Sequence, residues 1–410
     1  MAIRGVSKLV SCMIGSAAMK HSIDLLYAAL DGLLPEIIAL RHELHTSPEI
    51  ALHEHATRNY LVSWLTEQGV LDTALVYEPF LGTDLVFEKP GNDRSTVIGL
   101  RADMDALPVT ERTELSYQSR ISGMMHACGH DGHMAMLAGA IVLLHRAGIA
   151  LPYTVRAIFQ PGEEQVCAGA DLVSAGVCDG LTRVYALHGW PGLEVGKVSS
   201  KPGVMLAAAD TYEIICTGKA AHGATPEQGN NPLVPVSEIV GRLLELHACF
   251  SREHGAVITP CAVMGGHNTN TIPGSATILG TTRYLDPQVG NRMEQEIASA
   301  VQEISGKYGT ACDISHKRLY HLPVVNNSAE VQRVRDTAEL VLGEGCYQAM
   351  DSHYMVAEDF AFYLDKVPGC MFQLGLGEAH AKLHSDTFDF ADEALEAGML
   401  MLASLALGIC

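Results

Sequence analysis

The sequence predicts an α/β fold, a sheet covered by helices and interrupted by a compact α+β insertion. Three observations carry that prediction. Short β-type runs alternate with helical runs over the first two hundred residues, which is the pattern of a helix-covered sheet. Three of those β-type runs end in polar groups: Thr96–Leu100 leads into Arg101-Ala102-Asp103-Met104-Asp105, Tyr153–Phe159 into Gln160-Pro161-Gly162-Glu163-Glu164, and Val184–Leu187 into His188. In open α/β sheets ligands sit beyond the carboxyl ends of strands, so these groups can share one crevice. Around residue 203 the texture changes, and it changes back after about residue 318. At 410 residues the chain exceeds one ordinary core, and the expected division is 1–203 with 318–410 in one domain and 204–317 in the other.

The elements follow in order. Arg4 and Lys8 precede Leu9–Ala18, a short mixed apolar run with a faint likeness to a signal peptide. A helical or poorly ordered extension is the expectation, with Met19 as an alternative start. Ile23, Leu26, Leu30, Leu34, Ile37 and Ile38 keep helical spacing up to Leu44, and a second helix is expected over about Glu54 to Gln68. In the insertion, Thr211–Gly218 alternates like a half-exposed strand. A helix is expected over 232–250, a strand over 278–284 and a helix over about 288–308. The chain then returns to a helix at 329–342, an acidic-aromatic stretch Ala357–Tyr363, a β-type run at 371–375 and Leu383-His384-Ser385.

Composition removes several function classes. Lys and Arg number 27 against 47 Asp and Glu, a formal net charge of -20, with no basic run to neutralise phosphates, so nucleic acid is not an expected partner. No run of 18 uncharged apolar residues occurs, so no transmembrane helix and no membrane partner are expected. Eleven scattered cysteines without close pairs argue against a disulfide framework and for a reducing, cytoplasmic setting, with export left open by the signal-like N-terminus.

The densest chemistry lies at Met125-His126-Ala127-Cys128-Gly129-His130-Asp131-Gly132-His133, just before an apolar helical run. Cys128 and His130, two apart, can converge on one ion as thiolate and neutral imidazole. The competing reading is a helix start with Asp131 near the cap and incidental histidines.

Taken together, HACGHD at 126–131, RADMDALP at 101–108, QPGEE at 160–164, ALHGWP at 186–191, AEDFAFY at 357–363 and LHSDTF at 383–388 resemble the amidohydrolase branch of the dinuclear-metal aminoacylase and carboxypeptidase family. That branch includes hippurate hydrolases, N-acyl-amino-acid amidohydrolases and indole-acetyl-amino-acid hydrolases, and the resemblance runs over nearly the whole chain from about residue 30. It implies a metal-dependent exopeptidase-like catalytic domain with a mixed central sheet and an inserted α+β lid or dimerisation domain.

Residue by residue, the resemblance implies five metal ligands, Cys128, His130, Glu164, His188 and His384, holding two divalent ions per subunit, Zn or Mn first and Co or Ni next. Any one of these histidines alone is more often an ordinary buried or surface residue, and their joint occurrence carries the weight. Glu163 matches the general base. Asp105 matches the acid that orients a ligating histidine, and Asp103 is left without a role. In the insertion, His222 matches a lid histidine that stabilises the oxyanion, usually in a partner subunit's site, so a homodimer through the insertion is implied. Asn270 and Arg283 match residues that hold substrate, Arg283 suiting a free carboxylate. Two departures stand beside the pocket: Glu227 and Asp386 occupy positions where relatives often carry His and Pro.

The implied function is hydrolysis of the amide bond of small N-acyl amino acids to a carboxylic acid and a free amino acid. The alternatives are a dipeptidase or carboxypeptidase of the same family and a metal-dependent binding protein without catalysis. Glu163 argues against the last, since a binder needs no base beside a ligand carboxylate.

Overall fold

The structure, a computed structural model, describes residues 3–410, with side chains from residue 19 onward. The signal-like features at Arg4, Lys8 and 9–18 lie outside those described side chains. Among the described residues no helix is long and apolar enough to cross a membrane.

The chain divides into two compact units: 1–203 with 325–351 and 362–410, and 204–324 with 352–361. The first is built on an eight-stranded mixed sheet in the order Leu75–Val76, Leu85–Lys89, Tyr153–Gln160, Asp93–Asp103, Arg183–Pro191, Gly369–Gly377, Val198–Ser200, Tyr347–Ala349. Its centre is parallel, Asp93–Asp103 pairing with Tyr153–Gln160 on one side and Arg183–Pro191 on the other, and Arg183–Pro191 pairing in turn with Gly369–Gly377. The strands Tyr153–Gln160 and Gly369–Gly377 are buried along nearly their whole length, as a sheet covered on both faces requires. That explains why the sequence shows them as continuous apolar runs and not as alternation.

Three helices, Ile3–Thr46, His130–Arg146 and Leu395–Leu407, pack against one another. His130–Arg146 is buried from His130 to Leu144 and Leu395–Leu407 at every position but Glu396, so neither has an extended polar face, the mark of a helix inside a core. The helix expected at 329–342 is Ser328–Val341, capped by Asn327, whose Oδ1 accepts from the N–H of Ala329 at 2.9 Å.

The second unit is a four-stranded antiparallel sheet in the order Val257–Met264, Ser275–Tyr284, Ala208–Thr217, Ala311–Tyr320, with helices Leu233–His254 and Pro287–Tyr308. Tyr212, Ile214 and Cys216 point into the core with Val236, Ile239, Leu243, Met293 and Ile297, while Glu213 and Ile215 are exposed, which is the period-two alternation read from the sequence. Asp286 caps the second helix by accepting from the N–H of Gln288 at 2.8 Å.

The cysteines depart from expectation at one point. Cys216 and Cys312, 96 residues apart in sequence, form a disulfide. Sequence spacing hides such a pair because antiparallel register makes it: the two residues stand directly opposite on neighbouring strands, with Cα atoms 4.0 Å apart.

Gly132 tests how tightly the first unit is packed. A Cβ there would sit 2.5 Å from atoms of the buried Phe390 ring, which cannot swing aside. Gly132→Ala is therefore expected to cost about 1–3 kcal/mol of stability by overpacking. Chemical denaturation checks this, and a wild-type midpoint would show that the ring has room to move.

Candidate metal centre

Each candidate ligand is placed by a local backbone device. Gly129 takes φ +85 and turns the chain into the helix that starts at His130, leaving Cys128 in the loop before it. Gly162 (φ +63) makes a similar turn after the strand Tyr153–Gln160, so that Glu163 and Glu164 open a short helix. His188 lies within the strand Arg183–Pro191, and His384 sits in a loop at φ +64, an unusual conformation for a side chain with a Cβ. The N–H of His384 donates to the Ala127 carbonyl at 2.8 Å, tying that loop to the Cys128 loop.

The donor atoms converge in two groups that share one thiol. Cys128, His130 and His188 offer ligand atoms within 4.8 Å of one another, and so do Cys128, Glu164 and His384. Cys128 Sγ lies 3.4 Å from His188 Nε2, and Glu164 Oε1 lies 3.1 Å from His384 Nε2 and 3.8 Å from His130 Nε2. His188 Nδ1 is 2.8 Å from the Gly189 carbonyl, a hydrogen bond that puts the proton on Nδ1 and leaves Nε2 bare toward the thiol.

These residues fit a pair of cations by what they leave unsatisfied. Both ring nitrogens of His130 are buried without a well-formed hydrogen bond, and the buried Oε1 of Glu164 has only the pairing with His384, which is costly for polar atoms unless a ligand engages them. The donors are one sulfur, three nitrogens and a carboxylate, the set that borderline divalent ions take.

The electrostatics follow from burial and crowding. Burial, with Glu164 and Glu163 alongside, pushes the Cys128 thiol well up, so in the metal-free protein it holds its proton. Burial depresses His188 to about 3, keeping it neutral. Against the same burial, Asp103, Asp105 and Glu164 raise His130 to about 10. The His384 imidazole is raised chiefly by its hydrogen bond to Glu164. A cation entering the site must therefore displace protons from Cys128 and His130.

Asp105 stands where the ligand groups are organised. Its two carboxylate oxygens accept the N–H groups of Glu163 and Glu164, each at 3.0 Å, and its Oδ1 lies 3.3 Å from His130 Nδ1. Glu163 is buried, and its carboxylate lies within 4.8 Å of ligand atoms of His130 and Glu164.

Three groups escaped the sequence reading. Asp103 accepts from Arg101 Nη1 at 2.7 Å and from His133 Nδ1 at 2.7 Å, while Arg101 Nε donates to Gln160 Oε1 at 3.0 Å and the Gly189 N–H donates to His133 Nε2 at 2.9 Å. Both nitrogens of His133 are thereby engaged in bracing three strand ends. Glu54 accepts the Gly162 N–H at 2.9 Å, fixing the turn before Glu163. Asp131 does not cap its helix; it pairs with Arg41 and His45. The alternation of polar groups in Arg101-Ala102-Asp103-Met104-Asp105 was the one available signal for the first group.

In the second unit, Ala221–His222 pairs with Thr271–Ile272, which brings His222 beside Asn270: the Gly223 N–H donates to the Asn270 carbonyl at 2.7 Å. His222 is exposed, and its Nδ1 accepts from the Ala224 N–H at 3.1 Å, so Nε2 carries the proton. Arg283 stands apart from that pair, on the four-stranded sheet, its guanidinium bonded to Thr281 Oγ1 and the Thr282 carbonyl.

Residues 99–408 match the model of peptidase family M20/M25/M40. The chain belongs to this family. As an M20/M25/M40 member it is a metal-dependent hydrolase, and it is similar over nearly its whole length to known proteins. It is 31% identical over 372 residues, 90% of this chain and 96% of the relative, to an N-acetylcysteine deacetylase of Bacillus subtilis. It is 30% identical over 412 residues, 98% of this chain and 92% of the relative, to the IAA-amino acid hydrolase ILR1-like 5 of Arabidopsis thaliana. The crystal structure of the Bacillus subtilis YXEP protein, a dinuclear metal binding peptidase from the M20 family, superposes with a TM-score of 0.77 at 29% identity, covering 92% of this chain and 98% of that one.

The shared thiol makes a prediction about this M20 site. Cys128→Ser removes the donor common to both groups, so it is expected to weaken both metal equivalents, on the order of tenfold or more, since even outer partners of ligands are worth 10- to 100-fold. It should also reduce the protons released per metal bound near pH 7. Calorimetric metal titration in buffers of different ionisation enthalpy reads both quantities, and unchanged affinity and proton release would remove Cys128 from the ligand set.

Proposed function

We propose that this M20 enzyme hydrolyses the amide bond of N-acyl amino acids, using two divalent ions, Zn or Mn by preference, held by Cys128, His130, His188, Glu164 and His384. One observation carries the reading: a single buried thiol is common to two convergent donor groups, and the Glu163 carboxylate converges separately on His130 and Glu164 from those groups. Names of relatives similar along the full chain support the substrate class, one acting as an N-acetylcysteine deacetylase and one as an IAA-amino acid hydrolase. Cations bound there supply Lewis acidity toward the scissile carbonyl and make water more acidic.

The protein's own groups do the rest. Glu163, fixed by its N–H to Asp105, takes a proton from the attacking water and delivers it to the amine nitrogen as the C–N bond breaks. The carbonyl carbon leaves as a carboxylate and the nitrogen as the free amino group. His222 donates from Nε2 to the developing oxyanion, and Asn270 holds the substrate beside it. Arg283 receives the free carboxylate of the amino acid. His222 acts in the site of a partner subunit in a homodimer formed through the inserted unit.

Glu163→Gln is expected to keep both metals and lose on the order of 10²- to 10⁴-fold in kcat on N-acetyl, N-benzoyl and indole-acetyl amino acids. Turnover near wild type at matched metal content sinks the base assignment. If wild type cleaves dipeptides in place of this panel, the substrate class is wrong.

Subunit exchange tests His222. Mixing inactive His222→Ala with inactive Glu163→Gln should restore activity, up to about one working site per mixed dimer. Should His222 act within its own chain, mixing restores nothing, and an active His222→Ala parent would remove it from catalysis.

A further inference from the structure

The helix Ile3–Thr46 carries three basic side chains in its last turns, Arg41, His42 and His45, that none of the ligand assignments use. Arg41 is completely buried. Its guanidinium reaches in three directions: Nε to Asp131 Oδ2 at 2.8 Å, Nη1 to Asp392 Oδ1 at 3.2 Å, and Nη2 to Asp389 Oδ1. Asp131 directly follows His130. Asp389 and Asp392 lie on the segment that begins at His384. One side chain therefore grips two of the segments that bring ligands to the metal centre.

The grip is reinforced on each side. Asp131 Oδ2 also pairs with His45 Nδ1 at 2.8 Å, and His45 Nε2 lies 3.3 Å from Glu111 Oε1. On the other segment, Tyr117 donates to Asp389 Oδ2 at 2.8 Å and His42 Nε2 pairs with Asp392 Oδ2 at 2.7 Å. The Tyr117 ring lies under the Arg41 guanidinium, 4.9 Å from its centroid, and stacks on His42 at 3.6 Å. Burying a guanidinium costs several kcal/mol unless its donors are matched, and here three carboxylates match them.

We propose that Arg41 is a positioning residue that sets the spacing between the Cys128–His130 loop and the His384 segment, and so governs the affinity of the ion held by Cys128, Glu164 and His384. The proposal rests on the ligand assignment given above. The two donor groups are not equally anchored. Cys128, His130 and His188 are all buried on a helix start, its preceding loop and a strand. His384 has a side chain 53% exposed, sits in a loop at φ +64, and depends on its segment for placement. A shift of that segment moves His384 away from Glu164 and leaves the buried group intact. A lysine at position 41 keeps the charge and cannot make a three-way fork.

The test is a Co²⁺ titration of full-length wild type, Arg41→Lys and Asp389→Asn, read by visible absorption and by metal content after gel filtration. Wild type is expected to take two equivalents, with thiolate-to-cobalt absorption from Cys128 appearing at the first. Arg41→Lys should keep the first equivalent and its thiolate band, and bind the second about 10- to 100-fold more weakly, the range for outer partners of metal ligands. Its hydrolytic activity should recover as Co²⁺ is raised, with KM for the acyl substrate unchanged.

Two results overturn the proposal: a second equivalent as tight as in wild type, or equal weakening of both equivalents, which marks Arg41 as a general structural ion pair. Asp389→Asn takes the charge from one arm of the fork and must show the same selective loss, so the question is decided even where Arg41→Lys does not fold. Wild type that takes fewer than two equivalents fails the ligand assignment itself, a different failure, and the proposal falls with it.

Discussion

Charge can be buried only where something answers it, and this constraint organises the whole catalytic unit. Asp103, Asp105 and Asp131 are all fully buried within thirty residues of sequence, and each is stabilised by donors. Asp105 takes two backbone N–H groups, Asp103 takes Arg101 and His133, and Asp131 takes Arg41 and His45. Isolated buried carboxylates would cost several kcal/mol each and shift toward neutrality. Here the opposite occurs: Asp103 is held well below the usual carboxylate range despite its burial, by His130, His133 and Arg101. Asp103 and Asp105 also lie 3.8 Å and 3.3 Å from the ring nitrogens of His130, which puts their charge beside the candidate ligands.

The sheet is what brings these groups together. A parallel centre puts the carboxyl ends of Asp93–Asp103, Tyr153–Gln160 and Arg183–Pro191 on one side. The Gln160–Arg101–Asp103–His133–Gly189 chain of hydrogen bonds then crosses all three strand ends. Such a fully connected buried network rigidifies its members. Candidate ligands that project from it, His188 from its strand and His130 from the adjoining helix, inherit that rigidity, whereas His384 comes from a loop and is tethered separately.

How much of this was legible in the sequence depends on whether the signal was local. Helices at 55–67, 287–308 and 328–341 were readable because amphipathic spacing and caps are local properties. The alternation at 208–217 was readable because one face of that sheet is exposed. The metal candidates were legible as a set, through ordered motifs, while their division into two groups around Cys128 is a matter of three-dimensional convergence. Arg41, Glu54 and the Cys216–Cys312 pair were illegible for a common reason. Each is defined by partners 90 or more residues away, so nothing near them in sequence announces the contact. Asp103 lay in plain sight beside Asp105, and only the position of His133 gives it a task.

The chemistry of Cys128 ties these features together. A thiol surrounded by carboxylates and shielded from water has little reason to ionise, and its raised pKa follows from burial and from Glu164 and Glu163. A protonated thiol is a poor nucleophile and a poor ligand. A cation held beside Cys128 would invert that balance, since it would neutralise the same carboxylates that hold the proton on sulfur and reward the thiolate directly. The carboxylates around the thiol, which look at first like a liability for a sulfur ligand, would thereby couple the ionisation of Cys128 to the loading of the site.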